Sequence, residues 1–186
     1  MKTAPEILQV LQDKFPGKII KSDMSVIDPF AVVDAGALLE MCVFLKDDQG
    51  LAFDSLMCLS GVDYKGLKGE AERIEVVYHL FSMKHRHAFV LKVQLPRENP
   101  SLATVETVWA IANWHEREAY DMFGIRFEGH SDLRRILCPD DWEGYPLRKD
   151  YEQPETYRGM PARAAKQFVE MANEGLEVGT NPFKAG

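Results

Sequence analysis

The clearest pattern in the chain is a period of two. Ile74, Val76, Tyr78 and Leu80 alternate with Glu75, Val77, His79 and Phe81, and Phe89, Leu91, Val93 and Leu95 alternate with Val90, Lys92 and Gln94. Alternation of this kind sends successive side chains to opposite faces of an extended backbone, and the basic connector at residues 82–87 predicts an antiparallel hairpin. Elsewhere the period is helical. Thr3 and Glu6 have capping-box spacing, Ile7, Leu8, Leu11 and Phe15 follow as a stripe, and Pro16-Gly17 stops it. Residues 18–21 and 26–33 read as short strands, and Pro29 predicts an edge position or a bend in the second. Asp34 is placed to cap a second helix bearing Ala37, Leu38, Met41, Val43 and Leu45. Residues 51–64 form a mixed apolar run with a turn expected at Ser60-Gly61. From about Val105 a stripe of Val108, Trp109, Ala112, Ala119, Met122 and Phe123 predicts a third helix, closed by Gly124.

Helix, strands, helix, strands, helix, without a repeating strand–helix–strand unit, predicts an α+β fold: a mostly antiparallel sheet covered by helices on one face. After Phe127 neither period persists, and Gly129, Pro139, Gly144, Pro146, Pro154, Gly159 and Pro161 punctuate the chain. The expected organisation is therefore a domain over residues 1–127 and an extended, irregular C-terminal arm over 128–186. A short helix is expected in the arm near residues 161–174.

Composition narrows the function classes. With 186 residues and 46% apolar content the chain can bury a core, whereas its net charge of -7 opposes binding to nucleic acid or to an anionic lipid surface. No run approaches the roughly 20 apolar residues of a spanning helix. The start, MKTAPEILQVLQDKF, lacks the apolar core of an export signal, so a cytoplasmic location is expected. Cys42, Cys58 and Cys138 are scattered and odd in number, which suits a reducing compartment and cannot supply the clustered thiolates of an iron–sulfur centre. His85 and His87 have spacing that could share a metal, but Lys84 and Arg86 flank them and no acid completes the set, so a basic hairpin tip is expected. Nucleotide-binding and hydrolase motifs are absent.

The stretch from Trp114 to Tyr151 interleaves charges with aromatics, a composition typical of interfaces. Glu116 falls in the apolar stripe of the third helix, so its carboxylate should be buried and compensated. Arg134 or Arg135 are the candidates, stapling the arm to the domain. A catalytic role for Glu116 or Glu118, with His115, is the alternative. Trp114, Arg117, Glu118 and Asp121 fall on the opposite face, which is expected to dock a partner or to receive the chain's own arm. Trp142, Tyr145, Arg148 and Lys149 extend the same candidate surface, with Arg148 expected to face solvent or a partner.

Read in order, Glu116-Arg117-Glu118, Tyr120-Asp121-Met122-Phe123-Gly124-Ile125, Gly129-His130, Asp132-Leu133-Arg134-Arg135-Ile136-Leu137 and Gly144-Tyr145-Pro146-Leu147-Arg148-Lys149-Asp150-Tyr151 resemble the signature of one family. It is the 30 kDa subunit of the proton-pumping NADH:quinone oxidoreductase, respiratory complex I. Weaker similarity extends through Gly61-Val62-Asp63-Tyr64 and the hairpin, and covers most of residues 1–151. Ser131 departs from the proline usual after the histidine, and Trp142 within Asp140-Asp141-Trp142-Glu143-Gly144 is similar to plastid and cyanobacterial relatives. The resemblance implies an α+β subunit of the peripheral arm at the cytoplasmic face of the inner membrane. It implies no cofactor in this chain; FMN, iron–sulfur clusters and quinone would belong to partner subunits. The partners implied are a quinone-site subunit resembling a hydrogenase large subunit and the subunit holding the terminal cluster. An equivalent subunit of a membrane-bound hydrogenase or ferredoxin-type oxidoreductase remains the near alternative.

Overall fold

The computed structural model describes residues 1–161. Helix α1 (Ala4–Lys14) begins where Glu6 reaches back to accept from the Thr3 N–H at 2.7 Å and its hydroxyl at 2.8 Å, and it buries Ile7 and Leu11. Strands β1 (Ile19–Asp23) and β2 (Phe30–Val33) follow. Asp34 accepts from Gly36 N–H at 2.9 Å and starts a 3-10 turn that runs into α2 (Leu38–Asp47), as its capping position predicts. Then come β3 (Ser55–Asp63), the hairpin β4 (Ile74–Ser82) and β5 (His87–Leu95), β6 (Ser101–Ala103), α3 (Ala112–Phe123) and β7 (Arg126–Glu128). Two-residue strands β8 (Thr156–Tyr157) and β9 (Met160–Pro161) pair with each other.

Five strands form a sheet in the order β1-β2-β5-β4-β3, antiparallel at every junction except the parallel pair β2–β5. Phe89, Leu91, Val93 and Leu95 of β5 and Ile74, Val76, Tyr78 and Leu80 of β4 face a core shared with Ile7, Leu11, Leu38, Met41, Leu45, Trp109, Ala112 and Ala119. The fold is α+β, with a mostly antiparallel sheet covered by helices on one face. Met57, 62% exposed on edge strand β3, marks the sheet's uneven border.

One local expectation is narrowed to one of its two alternatives, and two are corrected. Pro29 does not put its strand at an edge: β2 starts at the next residue and lies between β1 and β5, so the bend before it absorbs the proline. The run 51–64 does not turn at Ser60-Gly61, because β3 passes straight through. A Cβ at Gly61 would lie 2.6 Å from the Phe123 ring, so the glycine serves the close approach of α3 to β3. The third helix starts at Ala112, not near Val105; turns precede it and bring Trp109 Nε1 to donate to Phe53 O at 2.9 Å.

His85 and His87 bond through Nε2 to the carbonyls of Gln49 and Leu51, each at 2.8 Å, which ties the hairpin tip to the segment before β3. Among the described residues no group of three metal-binding side chains converges, and no helix is long and apolar enough to cross a membrane. The chain divides into Met1–Asp150 and a unit from Tyr151 onward, so the first compact unit extends past Phe127. The helix expected near 161–174 lies outside the described residues.

Candidate functional site

Helix α3 ends at Gly124, whose φ of 72° is the left-handed conformation that glycine accepts most easily. A helix end leaves carbonyls without intrahelical donors. Here all four have one: Gly124 N–H reaches Tyr120 O at 2.8 Å, Arg135 Nη1 reaches Asp121 O at 3.3 Å, Leu147 N–H reaches Met122 O at 3.1 Å and Arg148 Nε reaches Phe123 O at 2.7 Å. Three of these donors come from residues 135–148. The segment after β7 therefore folds back and completes the helix. Arg148, expected to face solvent or a partner, is partly a cap, and its guanidinium also stands 5.0 Å over the Tyr145 ring.

The carboxylate that staples this segment is Asp121, not Glu116. Asp121 is fully buried; its Oδ1 accepts from Arg135 Nη1 at 2.6 Å, and its Oδ2 accepts the N–H groups of Ile136, Leu137 and Cys138 at 3.0, 2.7 and 2.8 Å. Burial pushes the carboxyl up, but these three N–H groups and Arg135 outweigh it and leave it below its ordinary range. Arg135 also donates to Trp142 O at 2.9 Å and Gly144 O at 3.0 Å, so one guanidinium gathers three stretches of chain. Arg134 is 67% exposed along its side chain and pairs with Asp132 at 2.9 Å. Neither arginine touches Glu116.

Glu116 is buried as its helical position predicts, but its partners come from the turn before α3. Thr104 Oγ1 donates to it at 2.5 Å and Val105 N–H at 2.8 Å. His130 Nε2 lies 4.0 Å from Glu116 and 3.6 Å from Glu106, and its Nδ1 accepts the Asp132 N–H at 3.0 Å. Glu106 in turn accepts Ser131 N–H at 2.7 Å and Asn113 Nδ2 at 2.8 Å. Burial pushes the Glu116 carboxyl up to about 7, despite the opposing bonds from Thr104 and Val105 and the nearby His130. The same burial, with Glu116 nearby, raises the Cys42 thiol. The group is enclosed, which suits a structural carboxylate better than one that meets a substrate.

A second anchor has no counterpart among the expected pairs. Arg97 grips Asp63 with Nε and Nη2 at 2.8 and 2.7 Å and Asp150 with Nη2 and Nη1 at 2.6 and 3.2 Å. Lys149 N–H donates to Asp63 Oδ2 at 2.9 Å, and Lys65 Nζ reaches Asp150 at 3.1 Å. The Arg97 fork holds the Asp63 carboxyl down at about 2. Sequence offers partial hints, Asp63 within the Gly61–Tyr64 stretch and Asp150 and His130 within the signature block, but none of them names its partner; Arg97 lies in the proline-bounded turn after the hairpin, and Thr104 carries no spacing signal.

The outer face of α3 divides between exposed positions and positions that receive the chain's own arm. Trp114 is 58% exposed and Glu118 is exposed, but Arg117 and Asp121 are buried, because residues 134–138 cover that side of the helix. Arg117 donates to Arg134 O at 3.3 Å and Arg135 O at 3.4 Å, and its guanidinium carbon lies 5.2 Å from the centre of the Trp114 ring. Trp114 is thus exposed and braced from behind. Trp142 and Tyr145 are half-buried and Lys149 is exposed.

Residues 31–157 match the family described as respiratory-chain NADH dehydrogenase, 30 Kd subunit. The chain belongs to this family. Its matched span contains α3, both anchors and the whole returning segment. The chain is 46% identical over 154 residues to an NADH-quinone oxidoreductase subunit of Chloroherpeton thalassium, covering 82% of this chain and 62% of that relative, so it spans about three fifths of the latter's length. It is 44% identical over 162 residues to the equivalent subunit of Chlorobium phaeobacteroides, covering 86% of this chain and 95% of that one. An F(420)H(2) dehydrogenase subunit of Methanosarcina mazei is 40% identical, covering 89% and 99%. Among solved structures, the trypsin-resistant fragment of Nqo5 superposes with a TM-score of 0.61 at 32% identity, covering 71% of this chain and 100% of the fragment.

Proposed function

We propose that this chain is a structural subunit of the peripheral arm of a membrane-associated NADH:quinone oxidoreductase, attached to the cytoplasmic side of the membrane through its partners. FMN, iron–sulfur clusters and quinone belong to those partners in this reading, and electron transfer from NADH to quinone, coupled to proton translocation, is the work of the assembly. The partners are the quinone-site subunit resembling a hydrogenase large subunit and the subunit holding the terminal cluster. The observation that carries the reading is the outer face of α3 within the matched span. There Trp114 is exposed yet held by Arg117, and Glu118 lies beside it. A large aromatic fixed in place before binding loses little freedom on docking, the property of an interface anchor.

Co-purification of the native assembly followed by mass spectrometry tests this. An NADH-binding flavoprotein and a hydrogenase-like subunit are expected with the chain, and recovery of the chain without either would overturn the reading. The 40% identity to an F(420)H(2) dehydrogenase subunit favours one second reading, the same scaffold in an assembly with another electron donor. In that case the NADH-binding flavoprotein is replaced, while the hydrogenase-like subunit still appears with the chain.

A further inference from the structure

At the C-terminal end of α3 a cleft of about 560 Å³ opens between the returning segment and the turn that follows the hairpin, lined by Glu98, Tyr120, Arg126, Leu133, Tyr145 and Arg148 among others. Its walls are fixed. Arg126 N–H donates to Pro100 O at 2.9 Å, Arg148 is held by Phe123 O and stands over Tyr145, and the Tyr145 ring packs so closely on Gly124 that a Cβ there would lie 2.5 Å away.

The polar inventory is one-sided. Arg126 makes no side-chain bond among the described residues, and Arg148 uses only Nε, so its Nη atoms remain as donors. The hydroxyls of Tyr120 and Tyr145 are likewise without partners there. Glu98 supplies the only carboxylate among the lining residues, and it forms no ion pair with either arginine among the described residues. Two guanidinium groups and two phenols against one acid call for a ligand that accepts hydrogen bonds and carries negative charge. The orphan carbonyls of the helix end, which would repel an anion, are already satisfied by Gly124, Arg135, Leu147 and Arg148.

We propose that this cleft receives an Asp or Glu side chain, or a terminal carboxylate, from a neighbouring subunit, held between Arg126 and Arg148. The choice of a protein carboxylate rests on the assembly role proposed above. A chain of net charge -7 with one acid at the cleft suits a single carboxylate better than a polyanion. The site adds register to the Trp114 face, because charged contacts fix orientation and suppress wrong partners more than they add affinity.

The test uses the full chain in its native assembly. Arg126→Glu, which touches no other described contact through its side chain, should lower incorporation roughly tenfold or more, the order expected when like charges meet at an interface. The free chain should melt as before. Glu98→Lys should assemble as well as wild type or better. A photo-crosslinking residue at Leu133 should capture a neighbouring subunit at a peptide containing Asp or Glu. Normal incorporation of Arg126→Glu, weaker assembly of Glu98→Lys, or a crosslink confined to this chain would overturn the proposal. So would saturable binding of inorganic phosphate to the free chain that Arg126→Glu abolishes without affecting assembly, since it would mark a small-anion site. If wild type itself fails to co-assemble, the subunit reading fails instead.

Discussion

Glu116 and Asp121 are buried on one helix, yet their surroundings push their charges in opposite directions. Asp121 faces three backbone N–H groups and an arginine, while Glu116 has one hydroxyl and one N–H, with no arginine or lysine paired to it and only His130 Nε2 at 4.0 Å. Between the unfolded value of 4.5 and the folded value of about 7, the folded chain holds a proton at Glu116 that the unfolded chain has released. Its contribution is therefore fully present below 4.5 and is lost as pH rises through 7, a loss of about 3 kcal/mol for a shift of this order. Asp63 runs the other way: its contribution is present above 3.8 and is lost as pH falls through 2. Urea melts at about pH 5 and about pH 8 should show wild type less stable at the higher pH. Glu116→Gln mimics the protonated carboxyl, with its amide donating to Thr104 and its carbonyl accepting from Val105, and should lose this fall, keeping only the smaller opposite slope of His87, whose burial lowers its pKa. An unchanged slope in the variant would place the titration elsewhere.

At the scale of elements, the returning segment behaves as part of α3. The 3.6-residue period showed that Glu116 points inward, because periodicity reports the face of a helix. It could not show that residues 134–138 lie over the opposite face and bury Asp121 there, since that contact belongs to irregular chain with no period of its own. The same limit hid Arg97 and Asp63, which meet only when the sheet brings their strands' ends together. The hairpin, α1 and the Gly124 cap were legible because their signals are local. Asp121→Ala takes the carboxylate from the half-buried Arg135 guanidinium, which keeps the Asp121, Trp142 and Gly144 carbonyls, and leaves three N–H groups without their acceptor, a loss of about 1–3 kcal/mol. Exposed Glu118→Ala should stay within about ±0.5 kcal/mol. Hydrogen exchange should add a local signature, with the amides of Ile136, Leu137 and Cys138 losing protection in Asp121→Ala before the sheet does. Equal protection in both variants would mean that Arg135 alone holds the segment.

At the scale of the whole molecule, the internal bonds of the returning segment decide what remains for a partner. Asp121, Arg135, Arg97 and Asp150 are spent on tying residues 135–150 to the domain, so this part of the family signature serves the chain's own fold. Trp114 is the large aromatic left outward on α3, and its brace makes the two outcomes of its removal separable. In the free chain, Trp114→Ala forfeits mainly a cation–π contact, worth about 0.5–1 kcal/mol at an exposed site, and should barely move the melting temperature. In the assembly an aromatic anchor typically costs at least about 2 kcal/mol on truncation, or roughly thirtyfold in affinity. Pull-down of neighbouring subunits at limiting concentration, set beside melts of the free variant, measures both. A variant that melts much earlier yet assembles normally would show that Trp114 supports the chain's own returning segment, and the docking face would have to be sought on another side of the sheet.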